Sequence, residues 1–239
     1  MYQALKSKII SVVSKIFVLQ FRSECDIISK IPFYTRVVNS IRTQNGSDVM
    51  KGGFRLTEGV CAKVNDKLIS AYCETENGFD ALLSAELIEP FVTKAIELLD
   101  EPAFFFLELP KNADEEDIEN YDIYYLDNCT LPVIRAIMKR YGELLVQDGL
   151  SRFGFGAHDS GVEIYLQSYQ QVSIYYPEKT KAADIFEEIG AAKTDKLVTL
   201  WDDFSQEDPG ISVRVELNGE SVFDIPENLK SAGMYLYQE

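Results

Sequence analysis

The sequence predicts an α+β fold, a mostly antiparallel sheet with several packed helices. Three observations carry this. Short runs of alternating apolar and polar residues come in groups joined by turn residues. Single segments with helical spacing separate those groups. The apolar share is 46%, enough for a packed core and too high for a disordered chain. A length of 239 residues fits one large domain or two small ones.

The elements follow in order. Residues 4–19 place Leu5, Ile9, Val12, Val13, Ile16 and Leu19 on one face, with Lys8 and Lys15 elsewhere, which predicts an amphipathic helix. Ile27, Ile28, Ile31, Val37, Val38 and Ile41 fit a second helix over 26–42, interrupted or started at Pro32. Asn45-Gly46 and Gly52-Gly53 mark turns, and residues 54–73 predict one or two strands. Ser84 caps a predicted helix to about Leu99, with Pro90 as an alternative first turn. The run FFFLEL, Phe104–Leu109, is too short and aromatic for a helix and predicts a buried strand, followed by a strand over Tyr121–Leu126.

Thr130 is an N-cap candidate for a helix to about Gln147, whose buried stripe is Val133, Ile134, Ile137, Met138, Tyr141, Leu144 and Leu145. Phe153–Ala157, Val162–Gln167 and Val172–Tyr176 give the strongest β signal. Val162, Ile164 and Leu166 fall on one face there, and Glu163, Tyr165 and Gln167 on the other. A helix over about Lys179 to Ile189 ends at Gly190. Leu197–Trp201 predicts a strand, and Ile211–Leu217 with Ser221–Asp224 predicts a hairpin about Asn218-Gly219. Met234–Tyr237 is a last short strand.

Charge divides the chain. Residues 1–60 hold nine basic and four acidic side chains, a balance of +5, so the remainder carries −21 of a total of −16. Composition and charge both change near residue 80. This suggests a basic helical region over 1–80 and an acidic α+β domain over 81–239, or one domain in which the basic part packs on the rest. So acidic a chain has too few cations to wrap duplex DNA or to lie on an anionic membrane. Lys15 interrupts the apolar N-terminus, and QFRSEC offers no cleavage site, so neither a secretory signal nor a membrane span is predicted and the expected location is the cytoplasm. Cys25, Cys61, Cys73 and Cys129 lack the close pairs of zinc sites and are expected as reduced thiols.

Candidate chemistry is sparse. His158, the single histidine, lies in GFGAHDSG beside Asp159, and extended neighbours point to opposite faces, so Asp159 cannot readily orient it. Gly154, Gly156 and Gly161 resemble a phosphate loop only in spacing. A strand follows them, with no helix N-terminus or P-loop lysine, and glycines alternating with Phe153 and Phe155 suit a strand that another backbone approaches closely. Acids crowd two stretches, six of them over Asp114–Asp122, but neither that stretch nor Asp202–Asp208 has the EF-hand spacing. No catalytic, cofactor-binding or metal-ligating residue is singled out. The acidic body points instead to a cationic protein surface. Its candidate contacts are Asp114, Glu115, Glu116 and Asp117, and Trp201 with Asp202 and Asp203, where an amphipathic aromatic sits beside acids.

The stretch 141–176, YGELLVQDGLSRFGFGAHDSGVEIYLQSYQQVSIYY, joins a helix ending in Asp-Gly to a run of short aromatic strands within an acidic α+β chain. In this it resembles bacterial immunity proteins that neutralise a cognate toxin. The resemblance covers about a sixth of the chain. It implies a non-enzymatic inhibitor that binds a basic toxin domain by shape and charge. Two other readings compete with it: a carboxylate-based hydrolase, and a structural or regulatory oligomer that docks through its basic N-terminal helix.

Overall fold

The computed structural model describes residues 53–111, 120–176 and 178–238. The two predicted N-terminal helices and Cys25 lie outside them. The described fold is α+β. Four helices, α1 (Ala85–Ala95), α2 (Leu131–Gln147), α3 (Lys179–Glu188) and α4 (Ile225–Leu229), accompany a nine-stranded sheet. In chain order the strands are β1 (Val60–Cys61), β2 (Ala71–Glu74), β3 (Gly78–Leu82), β4 (Ala103–Pro110), β5 (Tyr121–Cys129), β6 (Arg152–Ala157) and β7 (Val162–Leu166). They continue with β8 (Gln171–Tyr175), β9 (Ala192–Lys193), β10 (Ile211–Ser212), β11 (Glu216–Leu217), β12 (Glu220–Ser221) and β13 (Tyr235–Leu236). The sheet order is β13-β5-β4-β6-β7-β8-β3-β2-β9, antiparallel throughout except for the β2–β9 pair. Strands β1 and β10 pair separately, as do β11 and β12. Residue 80 lies inside β3, so residues 71–82 belong to the same sheet as the strands that follow them.

Because alternate residues face opposite ways, the register sorts whole rows of side chains. One row runs Leu126, Phe105, Phe155, Ile164, Ile174, Phe79 across β5-β4-β6-β7-β8-β3, and all six are buried. The helices close this side. Ile88, Phe91 and Val92 of α1, Ile134, Ile137 and Leu144 of α2 and Ile185 and Phe186 of α3 join the same core. Phe186 stacks on Tyr72 at 4.8 Å and on Phe91 at 5.2 Å, so α3 is held by rings from β2 and α1.

Ser84 stands at the N-cap of α1, but its hydroxyl accepts from the Arg55 amide and donates to Glu86, so it ties the entering chain down rather than capping the first turn. Pro90 lies within α1 and does not start it. Thr130 precedes α2, whose Leu131 amide is accepted by the Glu101 carboxylate. Asn218 and Gly219 both adopt positive φ, 55° and 80°, the two-residue turn that the Asn-Gly pair predicts.

Four short segments depart from expectation, the first being Ile211–Leu217, which is broken into β10 and β11 because Ile211–Ser212 pair with β1 and only Glu216–Leu217 enter the hairpin. Leu197–Trp201 is not a strand: Leu200–Asp203 forms a 3₁₀ turn, because Thr199 and Asp202 make a reciprocal capping box. Val222–Asp224 likewise turns, from a Ser221–Asp224 box, and leads into α4. Strand β9 was not anticipated. It exists only through its pairing with β2, which no local pattern announces.

Candidate functional site

The other face of the sheet carries the chemistry. Its central row runs Tyr235, Tyr125, Phe106, Gly154, Tyr165, Ser173, Asp80, Cys73 across eight strands. Beside it lie Glu108 paired with Arg152, and Phe104, Gly156, Glu163 and Tyr175 in register. Gly154 and Gly156 serve packing on this face. A Cβ at Gly156 would meet the Phe104 ring at 2.2 Å, and one at Gly154 would meet the Phe106 ring at 2.4 Å and the Ile164 carbonyl oxygen at 2.3 Å. The close approach expected of these glycines comes from cross-strand rings at both positions, and from backbone as well at Gly154.

Glu108 is the hub of the polar groups. The Tyr165 hydroxyl donates to its Oε2 at 2.8 Å, and the Arg152 guanidinium lies 3.7 Å from the same oxygen. Arg152 also donates to the Ser168 hydroxyl at 3.1 Å, and its guanidinium carbon sits 4.1 Å from the Tyr121 ring centroid. Burial raises the Glu108 pKa, while Arg152 and the Tyr165 hydroxyl pull it back. Burial, and then the negative charge of Glu108, push Tyr165 well above the usual phenol range. Asp80 is raised by burial and partly restored by the hydroxyl of Ser173, which donates to it at 2.7 Å. Glu163 has no hydrogen-bond donor among the described residues. Burial, with the like charge of Glu108 behind it, lifts its pKa to about 7. A carboxyl that titrates near neutrality among rings and a second carboxylate can hold a cation or exchange a proton.

At one end the face becomes an aromatic margin. His158 is exposed, stacks on Phe104 at 4.6 Å, and places Nε2 3.7 Å from Asp127. Its neighbouring carboxylate is therefore Asp127 of β5 and not the adjacent Asp159. Tyr125 contacts Phe104, Phe106, Tyr235 and Tyr237, and the Tyr235 hydroxyl donates to Asp127 at 2.6 Å.

Of the acids and aromatic that the sequence singles out, Asp114, Glu115, Glu116 and Asp117 lie outside the described residues. Trp201 packs edge-on against Tyr169 and Phe204 at 4.6 and 5.2 Å. Asp202 closes its turn by accepting from Thr199, and Asp203 accepts from the Asn65 side chain. These three residues share one 3₁₀ turn at the margin of a small second core of Val60, Leu68, Leu82 and Leu200. Tyr169 and Gln170 beside it both adopt positive φ, and Gln170 is held there by hydrogen bonds to Thr57, Arg55 and Leu83.

Glu108, Arg152, Glu163 and Asp80 were not singled out by the sequence. The signal was there in part, since Glu163 and Tyr165 alternate with apolar residues. Joining them to Glu108 needs the register across β4, β6 and β7. A cleft between α1, α2 and residues 166–172, lined by Ile88, Leu145, Asp148, Gln170 and Val172, has a volume of only about 30 Å³. Among the described residues no group of three or more His, Cys, Asp or Glu side chains could hold a metal ion, and no helix is long and apolar enough to cross a membrane. Comparison with known protein families, with curated proteins and with solved structures finds no match.

Proposed function

We propose that this chain is a non-enzymatic cytoplasmic binding protein, an immunity-type inhibitor whose acidic body engages a basic toxin domain. The observation that supports it is how the charges are spent. The described residues hold fifteen lysines and arginines against thirty acids. Ten of those cations already sit in ion pairs, among them Lys94 with Glu188, Arg135 with Glu97, Arg140 with Glu220 and Lys179 with Glu74. Glu76, Glu89, Asp100, Asp159, Asp195, Glu207 and Asp208 remain exposed with no ion pair among the described residues. Unspent negative charge of this extent steers a cationic protein and adds little to the fold itself.

The product of the adjacent reading frame is the partner to test, by co-purification and then titration calorimetry with the full chain. The expected result is a complex whose affinity falls by about tenfold or more between low and high salt, because exposed charge pairs are screened. Absence of a complex, or an affinity indifferent to salt, would overturn the reading.

A further inference from the structure

Among the described residues the sheet ends on β13. Tyr237 donates its amide to the Ile123 carbonyl, and Tyr235 pairs with Tyr125. In an antiparallel ladder the intervening Leu236 then turns its N–H and C=O away from β5. Among the described residues no strand pairs with that outer side. Three consecutive large apolar residues are exposed there: Tyr235 at 46%, Leu236 at 39% and Tyr237 at 42%. Tyr235 and Tyr237 flank Tyr125 on the polar-aromatic face. The Tyr235 hydroxyl donates to Asp127, and the charges of Glu163 and Glu108 are felt at the neighbouring Tyr125.

We infer that β13 is the docking edge for the cationic partner, which adds an extended basic segment to the sheet beside Leu236 and lays its arginine or lysine side chains over Tyr235 and Tyr237. The inference rests on the binding function proposed above and names its surface. Main-chain hydrogen bonds to Leu236 would supply part of the affinity. Cations over phenol rings backed by carboxylates would supply the preference for a basic strand.

The probe is a capped octapeptide of alternating threonine and arginine, titrated into the full chain by calorimetry, with its threonine–glutamate counterpart as control. Leu236→Pro deletes the outward N–H, and the inner ladder to β5 does not use it. Leu236→Ala keeps that N–H. The arginine peptide is expected to bind wild type and Leu236→Ala alike and to bind Leu236→Pro about tenfold more weakly, the loss of roughly one hydrogen bond. Tyr235→Ala combined with Tyr237→Ala should weaken it by a similar factor with the backbone intact, and this variant decides the matter if the proline variant fails to fold. Equal binding by all variants, or equal losses in the alanine and proline variants at 236, would overturn the edge assignment. So would binding of the glutamate peptide. The adjacent-frame product separates the two claims: undiminished binding to the β13 variants removes the edge and leaves the binding function, whereas failure to bind wild type removes the function itself.

Discussion

The two faces of the sheet share a backbone and differ in what they do with burial. Under α1, α2 and α3 the middle of the sheet is apolar, and Phe105, Phe155 and Ile164 are completely buried. On the opposite face the same strands place Glu108, Arg152, Tyr165, Glu163 and Asp80. The first face supplies stability. The second holds charge where water is scarce, and Glu163 is the clearest sign, because the fold lifts its pKa to about 7 without giving its carboxylate a donor among the described residues.

Substitutions at neighbouring positions of β6 separate the two. Phe155 is fully buried and packs on Phe105 at a ring separation of 5.7 Å. Phe155→Ala is expected to lower unfolding free energy by about 3–5 kcal/mol in a denaturant titration, the range for deleting a buried ring. A loss similar to that of an exposed site would mean the helix-covered face is not the main core. One residue along, Gly156→Ala drives a methyl group into the Phe104 ring and should cost roughly 1–3 kcal/mol through ring displacement. The same change should also release His158 from its stacked position, which its imidazole chemical shifts report. A neutral effect on both would show that the ring on the polar face is not held by the glycine.

Much of the first face was legible in the sequence. Ile134, Ile137, Tyr141, Leu144 and Leu145 are buried in α2 as their spacing predicts, although Val133 of the same predicted stripe is exposed in the first turn and Met138 is only partly buried. Val162, Ile164 and Leu166 predict the inward face of β7, since helix and strand periodicities are local properties. The second face was legible only in fragments. Glu108 lies in FFFLEL and Glu163 fifty-five residues later, and what brings their charges together is the β4-β6-β7 order. The Trp201 turn was misread for a related reason. Thr-Leu-Trp has strand propensity, but the Thr199–Asp202 capping box is satisfied only if the chain turns. Trp201, Asp202 and Asp203 share that turn, and Asp202 and Asp203 spend their carboxylates on Thr199 and Asn65. Short polar motifs that close on themselves, and pairings made across the sheet, are the information that periodicity omits.

The most direct test of the contrast between the faces is the unfolding free energy of Glu163→Gln against wild type as a function of pH. The folded-state pKa of Glu163 is about 7 and its ordinary value is 4.5, so the folded protein holds a proton that the unfolded chain releases. The Glu163 contribution to wild-type stability falls as pH rises from 4.5 to 7, whereas glutamine stays neutral throughout. The two proteins should therefore be equally stable near pH 4, and the variant should gain progressively to a plateau above pH 7 of roughly 1–2 kcal/mol, with screening at a partly exposed carboxyl allowed for. A variant that is less stable at pH 8, or one whose difference from wild type does not change with pH, would contradict the claim that this face carries charge at the expense of the fold.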